Sequence, residues 1–130
     1  MTKEQKELLI KYLCCRLPYG VKASTKLGNN IIVSFIGDDT IIGEDGDSYD
    51  ISFITPYLFP LSSMTEEQKK EYTHIVNYIS SDDTDNWKEG EFIYVEQLDQ
   101  LMHFYHKNHF DYRGLIEKGL AIDATNLNIY

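Results

Sequence analysis

Three side chains on one predicted helix carry the residue types of a metal site. Asp99 and His103 stand four residues apart and His106 follows three later, so at 100° per residue all three fall within a wedge of roughly 60°. A carboxylate and an imidazole so placed can both reach a Zn²⁺ at about 2.0–2.2 Å, with the second imidazole as a third ligand. A structural zinc site wants four ligands and an ordered second shell, and the chain has neither HExxH nor CxxC to supply more. The competing reading is a solvated helix face in which Asp99 pairs with His103 and the histidines complement the dipole. No cofactor is expected, zinc being the one alternative.

Other chemistry is harder to find. There is no GxSxG elbow, no GxGxxG and no phosphate-binding P-loop. The turn GEDGDSYD, residues 43–50, has the composition of a calcium loop, but the EF-hand register of acidic oxygens, glycine and a final bidentate Glu fails. Asp111 and Arg113 flank Tyr112 and could touch a ligand; the plainer expectation is that Asp111 caps a helix while Arg113 pairs with a carboxylate. Cys14 and Cys15 are adjacent in a predicted helix, which excludes a disulfide framework, and they read as small buried hydrophobes.

Charge is distributed unevenly. Of the net −9, residues 1–26 carry six cations against two acids, a local +4. Residues 27–68 hold no Lys or Arg and eight acids: Asp38, Asp39, Glu44, Asp45, Asp47, Asp50, Glu66 and Glu67. Such a stretch repels DNA or an anionic membrane and attracts a basic protein surface. The expected binding set is Asp38, Asp39, Asp45, Asp47 and Asp50, together with Trp87, the sole tryptophan. Trp87 sits in a polar stretch at residues 81–91, expected to be a loop; its ring would fold over the core or stand out as an anchor for a partner.

The elements that must position these residues follow from periodicity. A helix is expected over residues 2–17, opened by Thr2 with Gln5 at capping-box spacing and stopped by Pro18. Short β-prone runs at 19–25, 31–36, 40–42 and 48–54, separated by turn-rich inserts, read as an antiparallel meander with IIVSFI central. Residues 55–65, with Pro56 and Pro60, read as an extended crossover leaving the sheet. A second helix runs from a Thr65–Gln68 capping box to about residue 80, burying Tyr72, Ile75, Val76 and Ile79. A third buries Tyr94, Leu98, Leu101, Met102 and Tyr105, and a short fourth begins at an Asp111 cap and ends at Gly119.

The phrases PYLFPLSSMTEEQ (residues 56–68), NHFDYRGLIEKGLAID (108–123) and LLIKYLCCRLPYGVK (8–22) resemble a family of small uncharacterised proteins of gut anaerobic bacteria and their phages and mobile elements. The resemblance implies the origin of an accessory gene and carries no activity, cofactor or catalytic residue.

These readings converge on a single α+β domain spanning residues 1–130. It comprises an N-terminal helix, a four-stranded antiparallel meander, and two to three helices on one face. The expected core is Leu13, Leu17, Val33, Phe35, Ile51, Phe53, Ile75, Ile79, Leu98, Met102 and Leu115. No segment is apolar enough to span a membrane and the first residues are too charged for a signal peptide, so a cytoplasmic location is expected. With no catalytic set legible, the expected function is a non-enzymatic protein-binding accessory module, a candidate antagonist of a basic host protein. The alternative is a metal-binding protein or metal-dependent enzyme built on Asp99, His103 and His106.

Overall fold

A computed structural model describes residues 1–80 and 87–130, with side chains at residues 1–77 and 96–130. The first helix, α1 (Lys3–Cys14), starts as its sequence dictates. The Thr2 hydroxyl accepts from the Gln5 N–H at 3.1 Å, and the Gln5 side-chain oxygen accepts from the Thr2 N–H at 2.9 Å. Its buried face is Leu9, Tyr12 and Leu13, and Arg16, seven residues after Leu9, continues that stripe into the interior. Cys14 and Cys15 are therefore turned outward; both are exposed and free, contrary to the expectation that they are buried.

Four strands follow in antiparallel succession, as expected: β1 (Lys22–Thr25), β2 (Asn30–Gly37), β3 (Thr40–Gly43) and β4 (Ser48–Asp50), the last shorter than its expected run to residue 54 because Asp50 caps a 3-10 turn at Ile51–Phe53. The sheet does not stop there. Residues Ile54–Pro60, expected as a crossover, form β5, which pairs antiparallel with β1. Two short strands, β6 (Phe110–Asp111) and β7 (Ile122–Asp123), join β5 in parallel, so seven strands form a mixed sheet of order β4-β3-β2-β1-β5-β6 with β7 also on β5. Pro56 is tolerated because it stands opposite Ala23 at the last β1–β5 pair. Beyond that pair the Tyr130 hydroxyl takes over, accepting from the Lys22 N–H at 2.8 Å and donating to the Tyr57 carbonyl at 2.9 Å.

The β2–β3 register slips between Val33 and Phe35: Val33 faces Gly43, and Phe35 already faces Ile42. One extra residue on β2 inverts the alternation. Ile31, Val33 and then Ile36 turn inward, while Phe35 is 56% exposed on the outer face. This overturns its place in the expected core.

Helix α2 (Glu66–Ser80) begins at the Thr65–Gln68 capping box. Helix α3 (Trp87–Lys107) starts at the tryptophan, so residues 87–91 are helical where a loop was expected. Trp, Lys and Glu carry no strong bar to helix there, and one glycine costs only about 1 kcal/mol. The expectation for the Trp87 side chain lies outside the described residues, as do those for Ile79 and Tyr94. The helices run antiparallel, with Lys107 Nζ 2.8 Å from Glu71 Oε1 and the Gln68 side-chain amide donating to Asn108.

The inward face of α3 is centred near Leu101, with Phe104 and Tyr105 buried beside it. Leu98, one turn before Leu101, is 42% exposed, which removes it from the expected core. After β6 the chain makes turns in place of the expected fourth helix. The end of those turns is nevertheless helix-like: Gly119 has φ +73°, its N–H donates to Ile116, and the Leu120 N–H donates to Leu115.

Two apolar clusters result. One joins α1 to the sheet through Leu9, Leu13, Val21, Val33, Ile41, Ile51, Ile54 and Leu58, closed by Leu115 and Leu120. The other joins α2 to α3 through Ile75, Phe104, Tyr105 and Phe110. Tyr112 packs against both, and Leu17, Phe53 and Met102 are only partly buried.

Candidate functional site

Among the described residues, two groups of polar side chains bear on function. The first is interior, where the end of α1, the end of α3 and β6 meet. Arg16 reaches it as the cationic continuation of the α1 apolar stripe and is 2% exposed. Its Nη2 donates to the Phe110 carbonyl at 2.6 Å, its guanidinium carbon lies 5.3 Å from the Tyr112 ring centroid, and Nε and Nη1 have no partner. Desolvation lowers its pKa, partly opposed by Tyr112 and Asp111. Asp111 is itself buried, and its two oxygens accept from the Leu115 and Ile116 N–H groups at 2.9 Å each. It caps as expected, without a regular helix to follow. Arg113 lies 5.3 Å over the Tyr12 ring, and among the described residues no carboxylate pairs with it.

The sequence-derived metal set divides here. Asp99 and His103 are exposed, whereas His106 is buried. His103 Nδ1 is hydrogen-bonded to the Tyr19 hydroxyl at 2.7 Å, and His106 Nε2 to the Tyr112 hydroxyl at 2.8 Å. Each histidine thus shares a proton with a tyrosine from another element. Burial drives His106 down to about 4, with Arg16 and His103 adding to the effect. Among the described residues, no three His, Cys, Asp or Glu side chains gather closely enough to hold a metal ion. His109, just past α3, is buried with φ 58°. Its Nδ1 has no partner, and burial followed by the charges of Arg16 and Lys22 pushes it to about 4.

The second place is the outer face of β2, β3 and β4. Asp38 and Asp39 form the two-residue turn between β2 and β3, Asp38 at φ 49°, a conformation aspartate tolerates better than most residues. Asp45 organises the β3–β4 turn by accepting from the Asp47 N–H at 3.0 Å and the Tyr49 hydroxyl at 3.2 Å. Asp50 accepts from the Ser52 hydroxyl and N–H, and these bonds lower its pKa. All five carboxylates are exposed.

They do not form one cluster. Asp50 faces Thr40 and so sits with Asp38 and Asp39, while Asp45 and Asp47 lie at the other end of β3, about 10 Å away at the rise of a strand. Between the two acidic ends stand Phe35 and its cross-strand partner Ile42, with Ile42 partly buried and the Phe35 ring lying over Gly37.

Sequence reasoning missed Arg16, Phe35 and His109. The signal for Arg16 was present, since Leu9, Tyr12, Leu13 and Arg16 hold the i, i+3, i+4, i+7 spacing of a buried face. A bulge and a left-handed histidine leave no such pattern. Comparison of the chain with protein-family models, with curated proteins and with solved structures finds no match.

Proposed function

We infer that this chain is a non-enzymatic protein-binding module whose contact surface is the outer face of β2–β4. The observation that carries the reading is Phe35, which stands 56% exposed between two acidic ends in a stretch of 42 residues without a cation. An aromatic centre with a charged rim is the usual anatomy of a protein interface, and the sign of the rim selects a basic partner. The reading extends to an accessory product of a phage or mobile element that occupies the nucleic-acid groove of a basic host protein. Among the described residues no helix is long and apolar enough to cross a membrane.

The test is capture of partners from a host lysate at low and high salt, with wild type, an Asp45→Asn, Asp47→Asn, Asp50→Asn triple variant and Phe35→Ser. Binding through this face weakens steeply with salt and in both variants, at least about tenfold for loss of an aromatic anchor. A partner indifferent to salt, to the triple change and to Phe35→Ser defeats the assignment.

A further inference from the structure

We propose that the interior beneath Tyr130 is a site for a small oxyanion, a phosphate or carboxylate group, held between the Arg16 guanidinium and the His109 imidazole. A guanidinium carries five N–H donors, and at Arg16 only Nη2 has a partner, the Phe110 carbonyl. Nε and Nη1 are buried without one. Nor is the charge compensated: among the described residues no carboxylate forms an ion pair with Arg16, and the oxygens of nearby Asp111 are committed to two backbone amides. Burying a cation without a counter-charge or a full set of acceptors is costly, and one carbonyl with one ring face does not offset it.

His109 supplies the second unpartnered group. It is as buried as a core residue, its Nδ1 has no partner, and it lies close enough to Arg16 to feel its charge. Arg16 reaches the carbonyl of Phe110, the residue next to His109, and guanidinium N–H groups together with a protonated His109 Nδ1 suit a group that only accepts; an oxyanion both accepts and neutralises. The roof is the Tyr130 ring, stacked on His109. Lys22 stands at the rim, its ammonium 5.6 Å from the Tyr130 centroid, and it also lines a groove of about 300 Å³ with Asn30, Ile32, Asn128 and Ile129. The Lys22 ammonium also donates to the Ile129 carbonyl at 2.7 Å, which holds its charge beside Tyr130. This site is separate from the outer face of β2–β4 and stands or falls independently of it.

The experiment uses the full chain at constant ionic strength, with inorganic phosphate or acetate replacing chloride while the melting temperature and the His109 ring resonances are followed. The expected result is a saturable rise of roughly 10 °C when the anion stands about 100-fold above its Kd, with a concurrent rise in the His109 pKa. Response to phosphate alone assigns a phosphate group, and response to both assigns a carboxylate-sized oxyanion. Arg16→Met abolishes the saturable rise. Should that variant not fold, His109→Asn, which tolerates the left-handed backbone, weakens the response at least about tenfold. Equal behaviour in phosphate, acetate and chloride overturns the proposal, as does a saturable rise that survives in a folded Arg16→Met or His109→Asn protein.

Discussion

The ring of Tyr130 lies flat on the imidazole of His109, their centroids 3.6 Å apart and their planes inclined by 12°. Each ring covers one face of the other, although Tyr130 keeps 41% of its surface exposed. Burial raises the Tyr130 phenol to about 12 and lowers His109 to about 4.

A pH dependence follows from the two buried histidines. His106 and His109 both fall from an ordinary 6.5 to about 4, through burial first and then through Arg16, with His103 acting on one and Lys22 on the other. Because the folded values lie below the unfolded ones, the unfolded chain binds more protons in that interval. Stability is therefore highest above about pH 6.5 and falls toward pH 4, by up to about 1.4 kcal/mol per pH unit for each histidine. Urea unfolding followed from neutral pH to about pH 4.5 should show this slope, reduced by about half in His106→Asn. A flat profile would mean that neither imidazole is buried neutral.

Tyr130→Phe preserves the stack on His109 and removes the hydroxyl that joins Lys22 to Tyr57. It leaves one backbone donor and one acceptor unpaired at the point where β1 and β5 part, for a loss of about 1–2 kcal/mol. Chemical denaturation measures it, and hydrogen exchange at the Lys22 amide should quicken in parallel. No change in either would show that the hydroxyl is not part of the sheet.

Asp111→Ala releases the Leu115 and Ile116 amides together. The expected cost is about 2 kcal/mol, of which Asp111→Asn recovers roughly half by keeping one acceptor. If the two variants are equally stable, the carboxylate is not capping the turn.

Cys14 and Cys15 are exposed and free, so both thiols should react with iodoacetamide in the folded protein under non-denaturing conditions. Their replacement by serine should cost less than about 0.5 kcal/mol, as at other surface positions. Protection of either thiol until the protein is unfolded would contradict the orientation of α1.

Local signals in the sequence settled the elements whose physics is local. Thr2 with Gln5 and Thr65 with Gln68 fixed two helix starts, because a capping box is complete within four residues. The turn-rich inserts placed the first four strands, since hairpin pairing needs only a turn and alternation. Gly119 took the left-handed conformation its position required. What the tertiary structure alone decided depends on partners distant in the chain. Residues 54–60 became a strand because β1, β6 and β7 supply their hydrogen bonds, which no proline count anticipates. Phe35 turned outward through a one-residue slip against β3, and a slip of one residue exchanges the faces of a strand whatever its composition. Arg16 is buried against Phe110, 94 positions away, and the His106 ring lies against Tyr19 from the other end of the chain, so their altered proton affinity exists only in the folded chain.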